Sequence, residues 1–243
     1  MKNNMNIAVI IAGGLGKRMG ENIPKQFIEI NNKPVFIYTL EAFEKHPMID
    51  AIELVCIDGW QEKAMEYIKK FNITKLKWIV TGGKTGQESI RNGVFNLEKK
   101  CNNDDNIIIH DGVRPLLDEE VLTDVIKKCE KYGNGVSSMP YNEQIFLIDN
   151  EETTSKYIPR EKLRRVVTPQ AYKFQKLYWA YQEAFDKEIG IYGSSYTNTM
   201  MVELGEKLYF AKGSEKNIKL TTKENLEIFK AYLTLENNKQ IIN

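Results

Sequence analysis

Residues 7–12, IAVIIA, run directly into the glycines of AGGLGKRMGENIPKQF, residues 12–27, and this junction decides the fold. A short apolar run that ends in glycines is typical of a strand buried on both faces of a parallel sheet. Comparable runs recur at 51–57, 76–81 and 106–111, with helical patterns between them. The alternation predicts an α/β fold built on a doubly wound, mainly parallel sheet.

The alternation breaks after residue 141. Residues 144–159 contain two short strand patterns around the polar turn DNEETTS, which indicates an antiparallel hairpin that strand–helix alternation does not require. We therefore predict an inserted arm over about 141–165, in which the hairpin is followed by the basic stretch Arg160, Lys162, Arg164 and Arg165.

The alternation then resumes towards the end of the chain. The patterns predict a helix over 174–187, a strand over 208–213 and a last helix that begins at a capping box of Thr221 and Glu224. The sequence contains no linker or internal repeat, and we expect one domain over 1–243.

The composition is that of a globular protein: 243 residues, 42% hydrophobic and 28% charged, with a net charge of +1. This balance gives no general attraction to nucleic acid or to a membrane surface. No apolar run approaches the ~20 residues of a membrane helix, and the first residues carry no signal-peptide pattern, so a cytoplasmic location is expected. Three scattered cysteines and two histidines argue against a zinc site or disulfide framework.

The glycine loop is the strongest candidate for binding chemistry. Gly13, Gly14 and Gly16 let the backbone approach a ligand closely and can form a concavity for an anion, although a tight turn would also explain them. Arg18 and Lys25 bring two cations to the same place. The loop matches neither the P-loop, which needs Ser or Thr after GK, nor the dinucleotide fingerprint, which needs a third glycine where methionine stands.

The second candidate is IIIHDGVRP, residues 107–115. Asp111 ends an apolar strand, at the edge where open α/β sheets bind ligands, and is either a structural anchor or a Mg²⁺ ligand. His110 fits a packed, hydrogen-bonded residue better than a catalytic base. Arg160 and Lys219, taken singly, are better explained as surface charges, and only their placement after strand-like segments, together with the glycine loop and Asp111, makes them candidates. A glycine cradle, several cations and one carboxylate together favour phosphoryl or nucleotidyl transfer.

The combination and order of these segments resembles a known enzyme family. AGGLGKRM, PKQF, HDGVRP, Arg160 ahead of VVTPQAY, and NIKLTT follow one another as in the cytidylyltransferases of the 2-C-methyl-D-erythritol 4-phosphate and ribitol 5-phosphate family. The resemblance covers nearly the whole chain. It implies a nucleotide-diphospho-sugar transferase fold, a reaction of CTP and Mg²⁺ with a small phosphorylated alcohol, and release of pyrophosphate. It also implies a homodimer in which each hairpin arm reaches the partner's active site.

The resemblance also implies roles for individual residues. Arg18, Lys25 and Lys219 would be catalytic and hold the triphosphate, while Asp111 would bind Mg²⁺. The implied nucleotide contacts are Ala12, Gly13, Gly14, Gly16, Gly82, Gly83 and Ser89, with the serine on the cytidine. The implied acceptor contacts are Arg114, Arg160 and Thr197, with Arg160 acting in the partner's site.

The sequence departs from the family pattern at three places. Gly86 replaces a common arginine near the cytidine pocket, Glu143-Gln144 stands where Asp-Thr is usual, and Asn198 replaces an aspartate. Two of the three departures lie on the acceptor side, which indicates a changed acceptor and retained chemistry.

Ribitol 5-phosphate or a related polyol phosphate is the acceptor that AGG, HDGVRP and NIKLTT favour. The alternatives are methylerythritol phosphate, as in isoprenoid synthesis, a sugar-1-phosphate nucleotidyltransferase that uses UTP or another nucleotide, and a non-catalytic nucleotide-binding protein. The last is disfavoured because a binder has no need of residues aimed at a transition state.

Overall fold

The computed structural model describes residues 4–14, 23–193 and 196–242, with side chains as far as residue 235. Within these ranges the strands are β1 (Asn6–Ala12), β2 (Glu29–Ile30), β3 (Lys33–Pro34), β4 (Ala51–Cys56), β5 (Leu76–Thr81), β6 (Asn106–Asp111), β7 (Asn134–Pro140), β8 (Ile145–Leu147), β9 (Lys156–Ile158), β10 (Arg164–Lys173) and β11 (Phe210–Lys212). The helices are α1 (Val35–Lys45), α2 (Gln61–Lys70), α3 (Gly86–Asn96), α4 (Glu119–Tyr132), α5 (Phe174–Asp186), α6 (Thr197–Glu203) and α7 (Lys223–Ile242).

Seven of the described strands form one sheet in the order β11-β7-β10-β6-β1-β4-β5. The strand β1 lies between β4 and β6 and is parallel to both, and β5 continues in the same direction beside β4. Only β10, among these strands, runs antiparallel to both of its neighbours, β6 and β7. The predicted α/β class and mainly parallel sheet are confirmed.

Helices cover both faces of the sheet, as a doubly wound fold requires. Apolar side chains of α1, α2 and α4 pack in one core cluster, and those of α3, α5 and α6 pack in a second cluster on the opposite face. The central strand shows why both faces are needed, since Ile7, Val9 and Ile10 are all fully buried. A smaller cluster joins α7 to the loop after β6.

The strand β10 was not predicted from the sequence. Its first residues are basic, and Pro169 lies within it, which argues against a strand in the interior of a sheet. The pairing with β7 shifts register between Val166 and Gln170, and this irregularity accommodates the proline. The short helix α6 was also absent from the sequence prediction.

The predicted hairpin is present, and the predicted last helix begins slightly later. β8 pairs with β9 in antiparallel fashion, apart from the main sheet. At the start of α7, the Thr222 Oγ1 accepts from the Asn225 N–H at 3.4 Å, and Asn225 Oδ1 accepts from the Thr222 N–H at 3.2 Å. The capping box is therefore one residue later than the predicted pair of Thr221 and Glu224, because Asn225 supplies the reciprocal acceptor.

None of the helices in the described ranges combines the length and apolar character needed to cross a bilayer.

A buried carboxyl group lies in the middle of the sheet. Glu53 of β4 is fully buried, its Oε2 accepts from Asn96 Nδ2 at 2.5 Å, and its Oε1 is buried without a hydrogen-bond partner. Burial raises the pKa of Glu53 to about 7, although the Asn96 hydrogen bond and the Lys100 charge oppose the shift. Folding therefore favours the protonated form of this side chain.

We predict that Glu53→Gln removes a pH-dependent loss of stability. Because the pKa is raised from 4.5 to about 7 on folding, the wild-type free energy of unfolding should fall as pH rises through this window. A shift of this size corresponds to about 3 kcal/mol. The difference in free energy of unfolding between Glu53→Gln and wild type, measured in urea at pH 5 and pH 8, should grow in favour of the variant.

The exposed Glu152→Gln is the control and should leave the pH dependence unchanged. A Glu53→Gln difference that is constant from pH 5 to pH 8 would contradict the prediction.

Candidate active site

A cavity of about 990 Å³ opens at the carboxyl ends of the central strands. The strands β4 and β5 extend the sheet on one side of β1, and β6 lies on the other side. This reversal of strand order creates a crevice where open α/β sheets bind ligands. The predicted nucleotide residues that line it are Ala12, Gly13, Gly14, Gly82, Gly83 and Ser89, and the other predicted residues that line it are Lys25, Asp111, Thr197 and Lys219.

Two glycines bring the ends of β1 and β5 into contact. A Cβ on Gly82 would lie 3.0 Å from Gly13 Cα and 3.1 Å from Ser89 Oγ, and a Cβ on Gly13 would lie 3.0 Å from the same Ser89 oxygen. These separations are shorter than ordinary carbon contacts. Glycine at both positions is therefore what lets Ser89 close this corner of the cavity.

The loop between β5 and α3 is held by hydrogen bonds around Ser89. The Ser89 hydroxyl donates to the Thr85 carbonyl at 2.9 Å and accepts from the Gly83 N–H at 3.0 Å. Thr85 caps α3, since its Oγ1 accepts from the Glu88 N–H at 3.1 Å. A Cβ on Gly83 would lie 2.3 Å from Glu88 Cβ, so this position also needs glycine. The loop thus presents a backbone surface to the cavity.

The glycine loop after β1 is anchored by a residue that the sequence reading missed. Gln26 is buried, and its Nε2 donates to the carbonyls of Ala12 at 2.7 Å and Gly14 at 3.1 Å. Gln26 lies beside Lys25 in the short 3-10 turn Lys25–Phe27. The sequence feature that could have revealed Gln26 is its place between Lys25 and the buried Phe27. The predicted residues Gly16 and Arg18 lie outside the described residues.

Asp111 is the electrostatic centre of the site. Its Oδ1 accepts from Lys219 Nζ at 2.9 Å, and its Oδ2 accepts from Arg114 Nε at 2.8 Å. Burial disfavours the carboxylate, but the charges of Lys219 and Arg114 outweigh burial and hold the pKa of Asp111 well below its usual range. The side chain is therefore a carboxylate at neutral pH.

The segment before α7 is tied to the end of β6 and to β10. The Arg114 Nη1 donates to the Asn217 carbonyl at 2.7 Å, and Asn217 Nδ2 donates to the Thr168 carbonyl at 2.7 Å. The Thr168 Oγ1 in turn accepts from the Asp111 N–H at 3.2 Å. This ring of contacts places Lys219 beside Asp111 and keeps Arg114 behind the carboxylate. Asn217 and Thr168 were not predicted, because their roles depend on contacts that are distant in sequence.

His110 is a packed residue. It is fully buried, its Nε2 donates to the Arg114 carbonyl at 3.1 Å, and burial lowers its pKa to about 4. A neutral imidazole in this position supports the end of β6, as the sequence favoured.

The described residues contain no group of three or more His, Cys, Asp or Glu side chains that could hold a metal. A single carboxylate nevertheless fits a Mg²⁺ that takes its other ligands from phosphate and water, since Mg²⁺ is often held by one or two carboxylates in such sites. Asp111 is ionised and lines the cavity, and so meets that requirement.

The predicted acceptor residues lie in different environments. Thr197 is almost fully buried and its hydroxyl meets the Tyr181 hydroxyl at 2.8 Å. Arg160 lies at the exit of the hairpin with its side chain 61% exposed, and its Nε is 3.8 Å from Glu161. The departures Glu143 and Gln144 are exposed, and Asn198 Oδ1 is buried without a partner.

A family model described as 2-C-methyl-D-erythritol 4-phosphate cytidylyltransferase matches residues 6–235. A ribitol-5-phosphate cytidylyltransferase of Lacticaseibacillus paracasei is 58% identical over 94% of this chain and 98% of its own length. A 2-C-methyl-D-erythritol 4-phosphate cytidylyltransferase of Clostridium tetani is 35% identical over 98% of this chain and 94% of its own length.

Solved structures share the fold. The 4-diphosphocytidyl-2C-methyl-D-erythritol synthase of Anaerococcus prevotii superposes with a TM-score of 0.80 at 23% identity, over 95% of this chain and 99% of that chain. The 2-C-methyl-D-erythritol 4-phosphate cytidylyltransferase of Francisella tularensis gives a TM-score of 0.77 at 23% identity, over 93% and 98%.

We predict that Gly82→Ala weakens nucleotide binding because the added methyl group pushes Gly13 and Ser89 apart. Overpacking of this kind costs about 1–3 kcal/mol, and about 1.4 kcal/mol corresponds to a tenfold change in affinity. Calorimetric titration with CTP, the nucleotide that the sequence resemblance implies, should show a loss of about tenfold or more.

The matched control is Gly86→Ala at the first residue of α3, where a Cβ would meet no atom within 4 Å. Equal CTP affinity in the two variants would show that the contact between the glycines does not shape the nucleotide pocket.

Proposed function

Because the chain belongs to the 2-C-methyl-D-erythritol 4-phosphate cytidylyltransferase family, we propose that it transfers CMP from CTP to ribitol 5-phosphate or a closely related polyol phosphate. The observation that carries the proposal is the arrangement of the cavity. The glycines that end β1 and β5, at 13, 14, 82 and 83, line the same cavity as the charged side chains of Lys25, Asp111 and Lys219. This combination suits a nucleoside packed on the glycine backbone and phosphates held by the charged side chains.

The proposed reaction forms one bond and breaks one bond. A phosphate oxygen of the acceptor attacks the α-phosphorus of CTP, the bond from that phosphorus to the bridging oxygen breaks, and pyrophosphate leaves with the electron pair. Such transfers are catalysed mainly by positioning and by neutralising charge on the phosphates. Lys25 and Lys219 supply positive charge at the cavity, and Gly82, Gly83 and Ser89 orient the nucleoside.

The proposal includes Mg²⁺ held by Asp111. When bound, the ion would neutralise charge on the phosphate oxygens. Lys219 and Arg114 fix both oxygens of Asp111 in direction, and they keep the carboxylate ionised. Lys219 therefore has two roles in the proposal, since it orients the carboxylate and adds a cation at the phosphates.

The reaction does not require a general base. A phosphate monoester has its second pKa near 6 and is mostly a dianion at neutral pH, so the nucleophile carries no proton that must be removed. This agrees with His110, which is fully buried and has a pKa lowered by burial to about 4. The proposed reaction therefore depends on neutralising the phosphate charge and positioning the substrates, and not on proton transfer by a side chain.

The choice of acceptor rests on the relatives. The curated relative at 58% identity is named for ribitol 5-phosphate, whereas the 2-C-methyl-D-erythritol 4-phosphate enzymes of three Clostridium species reach 35–37%. Similarity at this level favours the polyol phosphate. Methylerythritol phosphate is the second candidate.

We predict that CTP and ribitol 5-phosphate together give the highest rate of pyrophosphate release among all combinations of CTP, UTP, ATP and GTP with ribitol 5-phosphate, 2-C-methyl-D-erythritol 4-phosphate and glucose 1-phosphate. Removing Mg²⁺ with EDTA should stop turnover, and adding excess Mg²⁺ should restore it. Turnover of UTP with glucose 1-phosphate alone would move the chain to the sugar-1-phosphate nucleotidyltransferases. Pyrophosphate release from no combination would favour a nucleotide-binding protein.

The proposal also assigns the hairpin to a homodimer. The described hairpin exposes large apolar side chains, with Phe146 51%, Ile148 75% and Tyr157 68% exposed. Apolar side chains clustered on a projecting hairpin are typical of a surface that another chain covers. We assign a second copy of this chain as the occupant, because Arg160 follows the hairpin and is not among the residues that line its own cavity.

We predict that two inactive variants, Lys25→Ala and Arg160→Ala, regain activity when mixed. If Arg160 serves the partner's site, each mixed dimer has one site with both residues intact, and equal mixing should restore roughly a quarter of wild-type sites in a closed twofold dimer. Activity is measured after subunit exchange has been verified by mass spectrometry.

The control is Lys25→Ala mixed with the double variant Lys25→Ala/Arg160→Ala, which can form no intact site. Absence of recovery despite verified exchange, or an active monomer by light scattering, would return Arg160 to its own subunit or to the surface.

A further inference from the structure

A chain of buried hydrogen bonds joins α3 to the segment on the opposite wall of the cavity. Gln87 Nε2 donates to the Gly190 carbonyl at 2.7 Å, and Gln87 Oε1 accepts from the Tyr181 hydroxyl at 3.0 Å. The Tyr181 hydroxyl also meets Thr197 Oγ1 at 2.8 Å. The side chains of Gln87, Tyr181 and Thr197 are 4%, 0% and 2% exposed, so water does not compete for these bonds.

The Gly190 carbonyl determines which group donates in each of these hydrogen bonds. The Gly190 carbonyl can only accept, so it must face the amide nitrogen of Gln87, and the amide oxygen must face Tyr181. The Tyr181 hydroxyl therefore donates its single hydrogen bond to Gln87 Oε1. The hydrogen bond between Tyr181 and Thr197 then requires that Thr197 be the donor. All three side chains are fixed in one arrangement.

The two ends of this chain belong to different parts of the site. Gln87 lies on α3 two residues before Ser89, on the proposed nucleotide side. Gly190 and Thr197 flank the segment that contributes Ile191 and Tyr196 to the other wall of the cavity. Gly190 has a φ of +60°, and a Cβ there would lie 2.7 Å from Met200 Cα, so the backbone at this point has little freedom.

We propose that Gln87 and Tyr181 are positioning residues for the acceptor substrate, because they hold Thr197 and the Gly190 backbone at a fixed distance from the nucleotide loop. This inference rests on the proposed function of the same cavity. Neither residue needs to touch a substrate. If the wall is held in its binding arrangement for only a fraction of the time, the apparent Kd for the acceptor equals the intrinsic Kd divided by that fraction.

The test is Tyr181→Phe, which removes one hydroxyl group and keeps the ring that packs in the core. The substitution leaves Gln87 Oε1 without its donor and Thr197 without its acceptor. The loss of a typical hydrogen bond changes an equilibrium constant by about a factor of two to ten. We expect the KM for the acceptor at saturating CTP to rise about fivefold, with kcat and the KM for CTP within about twofold of wild type.

Tyr38→Phe is the matched control, since the Tyr38 hydroxyl donates to the Ile30 carbonyl at 2.8 Å, outside the cavity. It should change neither KM. Thr197→Val should raise the acceptor KM at least as much as Tyr181→Phe, because it removes the Thr197 hydroxyl itself as well as its bond to Tyr181. The losses in the double variant Tyr181→Phe/Thr197→Val should be less than additive, because both substitutions remove the bond between Tyr181 and Thr197.

Amide hydrogen exchange of peptides that contain Gly190 gives a readout that does not depend on turnover. Exchange should be faster in Tyr181→Phe than in wild type or in Tyr38→Phe. Equal increases in both KM values, additive losses in the double variant, or unchanged exchange would each overturn the inference while leaving the proposed function intact. If the wild type turns over no acceptor, the proposed function fails. The hydrogen-exchange measurement alone then decides whether the hydrogen bonds of Gln87 and Tyr181 order this wall.

Discussion

The position of β1 at the middle of the sheet is the constraint on which the rest of the structure depends. Its register aligns Ala12 with Cys56 of β4 and Ile11 with Asp111 of β6. Parallel strands end at the same edge, so this register brings the glycine loop and the carboxylate together. Cys56 is also aligned with Thr81 of β5, which delivers Gly82 to the same edge. The loops that follow β1, β5 and β6 therefore begin close together at one edge of the sheet.

Asp111 has one observed role and one proposed role, which a single substitution cannot separate. Its carboxylate meets Lys219 and Arg114 in a partly buried position, with side-chain exposures of 20%, 31% and 13%. Removing one partner from such a cluster leaves cations without their counter-charge, which is costly when they are shielded from water. The same carboxylate is the proposed Mg²⁺ ligand. A loss of activity on substitution of Asp111 would therefore report both the proposed metal site and the anchoring of the segment that carries Lys219.

The parts of the fold that the sequence predicted are those determined by local pattern. The strand at 106–111 has the bounds that its apolar run indicates, and the hairpin lies where the alternation breaks. The strand β10 was missed because it is stabilised by pairing with β6 on one side and β7 on the other. The register shift in its pairing with β7 accommodates Pro169. Local propensity gives no information about such tertiary support.

The same distinction separates the site residues. Glycines and charged residues at strand ends are visible in the sequence because their residue types are unusual there. Gln26 and Gln87 look like ordinary polar residues, and their roles follow only from the carbonyl groups that they reach, at Ala12 and at Gly190. For Gln87 that carbonyl lies 103 residues away along the chain. Spacing within a motif cannot reveal a partner at that distance.

The proposed nucleotide and acceptor sides of the cavity differ in how readily they can change. The proposed nucleotide side is made of backbone and glycine contacts in which an added methyl group has little room, as at Gly13 and Gly82. The proposed acceptor side is made of side chains around the hairpin and at the start of α6, where Thr197 and Asn198 lie. The departures at Glu143, Gln144 and Asn198 all fall there, where a side chain can change without moving the central strands. Gly86, the first residue of α3, is the exception on the nucleotide side, and a Cβ there would meet no atom within 4 Å. We therefore expect differences in the acceptor to arise on that side of the cavity, while β1 and its neighbours keep the glycine loop and Asp111 in place.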